Sequence, residues 1–219
     1  DEYNGWFTVR YGVGETLFKM DDQLEPQPWL AEKIEHPSQL EWKITLRNDV
    51  TFQNGEKMTG AKVEASLKRL IEKSKRAADD LGIESIHSDG QTVTIKTKLE
   101  QPIMKNLLAE PYSVIVDVDG KTASDKSPVG TGPFLIKTYT PETGATLEAY
   151  ENYWGGKAKV AQVQIKYFSD PTAISAALQS KEVDAVYGLP YANLASYKKD
   201  SQYKISEKEG GRYLSYVYN

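Results

Sequence analysis

The spacing of apolar and polar positions changes period several times along the chain. From Trp42 to Leu46 the two kinds alternate, the period of a half-buried strand. Asn48-Asp49 turns the chain, Thr51-Phe52 resumes extended backbone, and Asn54-Gly55 turns it again, a pair suited to tight hairpins because both residues tolerate positive φ. The period then lengthens. Val63, Leu67, Leu70 and Ile71 fall at i, i+4, i+7 and i+8, one face of a helix, with Thr59 placed to cap it. The stretch LRNDVTFQNGEKMTG therefore reads as a hairpin feeding an amphipathic helix.

Ahead of this unit, DEYNGWFTVRYGVGETLFKM is aromatic-rich and punctuated by glycine, and PQPWLAEKI reads as a loop entering a short helix. Beyond it, Ile83 to Ser88 and Thr92 to Thr97 flank Asp89-Gly90 as a second hairpin. Pro102 to Leu108 predicts a short helix and VDGKTASDKSP a loop. Phe134 to Tyr139 and Thr146 to Tyr150 are strands joined at PETG, and Val163, Ile165 and Tyr167 alternate as another. Asp170 before Pro171 is a cap followed by proline at the first helical position, with Ile174, Ala177 and Leu178 as the buried face behind it. Val183 to Tyr187 predicts a short strand, Tyr191 to Lys198 a helix, and Tyr213 to Asn219 a last strand whose alternation is unbroken at the terminus. The length predicts two subdomains.

Charge and composition remove several function classes. Lys plus Arg number 27 against 31 Asp plus Glu, a formal charge of −4, so the clustered excess of cations that a phosphate backbone needs is missing and no nucleic-acid partner is expected. Cysteine is absent, which removes disulfides, thiolate metal sites and thiol nucleophiles. No apolar run approaches the roughly 20 residues that span a bilayer, and no leader begins at Asp1, so the chain is either cytosolic or has lost its targeting segment.

The short motifs fail on spacing. Gly12 and Gly14 begin a dinucleotide fingerprint whose third glycine would fall at Leu17, and Asp119-Gly120-Lys121-Thr122 ends like a phosphate loop whose first glycine would fall at Ile115. His36 and His87 have no partner at i, i+4 spacing, and one imidazole holds no ion. No Gly-x-Ser-x-Gly elbow supports a serine nucleophile. With 31 acids, pairs of carboxylates carry no information. No catalytic residue, metal ligand or resident cofactor is assigned.

The rings carry more. Fourteen tyrosines, four tryptophans and five phenylalanines make 11% of the chain, and Tyr3, Trp6, Phe7 and Tyr11 crowd one segment. They form either core or the wall of a ligand site, since indole and phenol offer rigid contact area. Arg10 and Arg76 have two readings as well: solvated cations, or forks that grip a carboxylate bidentately, Arg76 lying just past the apolar stripe of its predicted helix.

Four ordered blocks, LRNDVTFQNGEKMTGAKVEASLKRL, SPVGTGPF, ENYWGGKAKVAQVQIKYFSDP and AALQSKEVDAVYG, resemble the family 5 solute-binding proteins of ABC importers. VGETLFKMDDQLEPQPWLAE and RAADDLGIESI are most similar to its nickel receptors. The resemblance implies an α/β fold: a mixed-sheet lobe of a two-lobed periplasmic-binding-protein-like (type II, peptide/nickel receptor) architecture. Residues 1–32 and 128–219 would form the larger subdomain and 33–127 an inserted smaller α+β one, whose hairpin supports the helix presenting Arg76. It implies capture of a nickel or other metal chelate, or an oligopeptide, for an ABC permease and ATPase complex. It also implies a monomer outside the cytoplasmic membrane or in the periplasm, anchored through a lipidated leader that has been removed. By similarity Arg76 faces the chelator's carboxylates and Phe7 the ligand; Trp6, Arg10 and Tyr187 join them by proximity. The chain departs from the nickel pattern in having EPYSVIVD where a second arginine follows Leu107-Leu108. Because family members are longer, the sequence reads as an amino-terminal lobe fragment, and one lobe alone should fold but bind weakly. A glycan hydrolase, from Tyr and Trp near acids, and a peptide-binding module without a transporter are the alternatives from other classes.

Overall fold

In the computed structural model, which describes residues 2–119, 128–189 and 191–207, the first element is α1 (Glu2–Arg10). β1 (Phe18–Met20) and β2 (Pro26–Pro28) pair antiparallel, and β3 (Ala31–Ser38) leads into β4 (Glu41–Leu46). The double turn follows: Phe52 N–H bonds to Glu56 O at 2.7 Å, and Gly55 sits at φ 86°, a left-handed position that glycine fills without strain. Thr59 Oγ1 then accepts from Lys62 N–H and α2 (Gly60–Lys73) begins as expected.

The helix does not run on to Arg76. Ser74 takes extended backbone, closes α2 through its N–H to Leu70 O, and its hydroxyl accepts from Ala77 N–H at 3.1 Å to start α3 (Lys75–Leu81). Arg76 therefore belongs to the first turn of a separate short helix. β5 (Ile83–Asp89) and β6 (Thr92–Thr97) form the second hairpin, and α4 (Met104–Leu107) and a 3-10 turn at Pro111–Ser113 come next. β3, β4, β6 and β5 make one antiparallel sheet in that order, with cross-strand pairs Ile44–Val93 and Ile86–Ile95. Ile44, Val93 and Ile95 share a buried core with Val63 and Leu67 of α2, so the stripe read from the sequence is the surface that seats the helix on the sheet. Full burial of each such side chain contributes about 1.5–3 kcal/mol.

β7 (Phe134–Thr140), β8 (Gly144–Ala149) and β9 (Gln162–Lys166) form a three-stranded sheet. α5 (Pro171–Gln179) starts at Asp170, whose carboxylate accepts from Thr172 N–H at 2.8 Å, and α6 (Tyr191–Lys199) is the last described helix. Two compact units result, one of residues 1–139 and 145–165, the other of 140–144 and 166–219.

Two further expectations are corrected. AEKI is strand, not helix: Ala31 and Ile34 lie three apart, as on a helical face, but a register shift between Ala31 and Lys33 turns both toward the core. Val183 to Tyr187 is irregular, because no described strand pairs with it and a lone strand has no ladder to join. Tyr213 to Asn219, and residues 120–127 of the expected loop, lie outside the described residues.

Candidate functional site

The glycine-punctuated segment after α1 is fixed to the body by main-chain bonds. Val13 N–H and Gly14 N–H both reach Thr8 O, closing the helix end, while Gly132 N–H donates to Val13 O and Phe134 N–H to Gly12 O, each at 3.0 Å. The approach is close enough to require glycine: a Cβ on Gly130 would fall on the Val13 carbonyl, and one on Gly132 on that of Gly12. Gln53, from the first hairpin, joins the same junction. Its Nε2 lies within 2.7–3.0 Å of the carbonyls of Val13, Gly132 and Phe134, and its N–H donates to Gly130 O. At the other end, a Cβ on Gly5 would come within 2.6 Å of Pro111 O, so α1 lies directly on the 3-10 turn.

Glu15 locks this junction from inside. Its fully buried carboxylate accepts from Thr131 Oγ1 at 2.8 Å, Tyr153 OH at 2.6 Å and Trp154 Nε1 at 2.8 Å. Burial pushes its pKa up from the ordinary glutamate value, and the three donors offset part of that rise. Arg47, paired with Asp49, stands over the Trp154 ring at 4.5 Å. The abundance of acids concealed Glu15 in the sequence, and Tyr153 and Trp154 showed there only as members of the ENYWGG block.

Held this way, α1 turns large rings outward. Trp6 and Phe7 are each 42% exposed, so neither is core. The Arg10 guanidinium stands 5.6 Å from the Trp6 ring, and Phe7 lies against Tyr11 at 5.6 Å. Arg76 is mounted the same way: its guanidinium is 5.6 Å from the ring of Tyr112, a residue of the 3-10 turn on which α1 rests. Tyr112 thus links Arg76 to the helix carrying Trp6, Phe7 and Arg10. Tyr187 is 80% exposed and belongs to the other compact unit. Sequence reasoning missed Tyr112, which sits in EPYSVIVD, and Asp80, whose i+4 spacing from Arg76 was legible as a helical ion pair.

Chemically, exposed rings beside guanidinium forks suit a small planar or carboxylate-bearing ligand. Among the described residues, no three His, Cys, Asp or Glu side chains are grouped to hold a metal ion.

A family model for bacterial extracellular solute-binding proteins, family 5 (middle), matches residues 25–219. The nickel-binding protein NikA of Staphylococcus aureus is 33% identical over 211 residues, covering 96% of this chain and 43% of that protein. A solved nickel ABC transporter protein from Bacillus halodurans superimposes with a TM-score of 0.84 at 35% identity over 90% of this chain and 41% of its own. NikA from Staphylococcus aureus, solved in complex with Ni(L-His)2, gives 0.83 at 33% identity over 87% and 41%. The chain spans about two fifths of the length of these relatives.

Proposed function

Because the chain belongs to the family 5 bacterial extracellular solute-binding proteins, we propose that the protein carrying it captures a metal chelate, nickel foremost, for an ABC importer. The observation that carries this reading is the outward face of α1, where Trp6, Phe7 and Arg10 stand exposed on a helix fixed to the body by main-chain bonds. Rings left in water cost free energy unless a ligand covers them, and a guanidinium beside them selects for carboxylate. The chelator supplies the donors to the metal; the protein reads the chelator. Nickel is then cargo and not a resident cofactor. That the nickel receptor from Staphylococcus aureus was solved holding Ni(L-His)2 supports the same ligand class here.

In this reading Trp6, Phe7, Arg10 and Arg76 line one side of a cleft, and residues 33–127 form the inserted subdomain. Closure of a second lobe completes the grip, since a clamp is stabilised by contacts made to both halves. The closed monomer, lipid-anchored outside the cytoplasmic membrane, delivers its ligand to a permease and its ATPase.

The test is calorimetric titration of the native protein carrying this chain with preformed nickel–histidine, nickel sulfate alone, and a mixed peptide pool. We expect saturable one-to-one binding of nickel–histidine, weakened about tenfold, or 1.4 kcal/mol, by Trp6→Ala. Heat from the peptide pool alone would replace this reading with oligopeptide capture.

A further inference from the structure

The carboxamide of Gln53 is committed to main-chain atoms. Nε2 reaches the carbonyls of Val13 at 2.9 Å, Gly132 at 3.0 Å and Phe134 at 2.7 Å, and Oε1 accepts from Gly130 N–H at 3.3 Å. Two hydrogens thus serve three oxygens, while the acceptor end of the same planar group is held separately. A carboxylate of the same length has the acceptor but no donor, and a thioether has no donor either. Gln53 comes from the hairpin after β4, Val13 from the segment after α1, and Gly130, Gly132 and Phe134 from the stretch entering β7, so three distant parts of the chain meet on one side chain. α1 has a second seat at its other end, where Gly5 lies on Pro111 O. Phe52, beside Gln53, and Tyr112, beside Pro111, belong to the same buried core. Both seats of the helix therefore stand on one body.

We propose that Gln53 is a positioning residue for ligand capture: it fixes the seat at the C-terminal end of α1, and with it the direction in which Trp6, Phe7 and Arg10 are presented. This rests on the reading of that face as a ligand wall, and Gln53 acts on the ligand only through α1. Two fixed points set the direction of a helix, and Gln53 joins the second of them to the core that carries the first. The main-chain bonds from Gly132 and Phe134 hold α1 to the segment entering β7; the carboxamide ties both to the hairpin. Without its donors the helix keeps its residues but loses its single direction. Rings that must meet a ligand together then have to be ordered by the ligand, and affinity falls by the cost of that ordering.

The test titrates the native protein carrying this chain with preformed nickel–histidine in wild type, Gln53→Met, Gln53→Glu, Ile86→Val and Trp6→Ala. Gln53→Met keeps the length of the side chain and removes its donors, and should weaken binding about three- to tenfold, the range that goes with one net hydrogen bond. Ile86→Val trims the sheet core and lowers stability without touching α1, so it should bind as wild type does. That comparison separates positioning from a general loss of stability. Gln53→Glu sets an ionised group against three carbonyls, and uptake of a proton restores one donor. Such surroundings raise a carboxyl, so the affinity of Gln53→Glu relative to wild type at the same pH should recover between about pH 8 and pH 6. Wild-type affinity in Gln53→Met, equal weakening in Ile86→Val, or a Gln53→Glu ratio indifferent to pH overturns the proposal alone when Trp6→Ala binds weakly. Wild-type binding in Trp6→Ala, or none in wild type, removes the reading of the α1 face and the proposal with it.

Discussion

Two buried carboxylates in this chain are held by opposite balances. Glu15 has three donors, and replacing it with glutamine turns one acceptor into a donor facing Thr131, Tyr153 or Trp154. Glu15→Gln should cost about 1–3 kcal/mol in denaturant unfolding, and Glu15→Ala more, because it leaves the donors without a partner. Asp117, also buried, bonds to Lys62 Nζ at 2.9 Å and Asn54 Nδ2 at 2.8 Å. Burial alone would raise its pKa; Lys62 and Asn54 outweigh that and hold it below the ordinary aspartate value. The signs then differ. A depressed carboxyl contributes stability that is present above its unfolded value and lost as pH falls through the folded one, whereas a raised carboxyl, as at Glu15, subtracts stability as pH rises past its unfolded value. Unfolding between about pH 7 and pH 3 should show the advantage of wild type over Asp117→Asn shrinking toward acid, and that over Glu15→Gln growing.

At the scale of elements, the most consequential residue is Ser74, whose backbone ends one helix while its hydroxyl starts the next. Ser74→Ala should lose about 1 kcal/mol, and amide exchange should report the loss at Ala77 before it appears in the body of α2. This cap also marks the limit of what the sequence conveyed. Thr59, Asp170, the Asn54-Gly55 turn and the Val63–Leu67 stripe were legible because each acts within a few residues of itself. β3 was not, because its bulge places Ala31 and Ile34 on one face at a spacing that otherwise means helix. The placement of Arg76 was misread for want of Ser74: the stripe gave the helix its face but not its end. Trp6, Phe7, Arg10 and Arg76 were visible as residue types. Their mounting on Tyr112 and on the Gly12–Gly14 junction was not, since those contacts join positions from 36 (Arg76 to Tyr112) to 122 (Gly12 to Phe134) residues apart and leave no local period.

For the whole molecule, the proposed clamp predicts a difference between this chain by itself and a two-lobed protein that carries it. If closure needs contacts from two lobes, the 219 residues alone should fold cooperatively yet bind nickel–histidine more than about a hundredfold more weakly, a loss of about 3 kcal/mol; equal calorimetric affinities would refute the clamp. The junction at Gly12–Gly14 has a separate consequence. α1 is fastened at its foot through carbonyls and amide hydrogens meeting Gly130, Gly132, Phe134 and the Gln53 side chain, none of which depends on the identity of Trp6, Phe7 or Arg10. Foothold and facing are thus separate inheritances. Mutation can redraw the facing while the foothold stays in register, so a lineage can drift from one cargo to another without having to reinvent its scaffold.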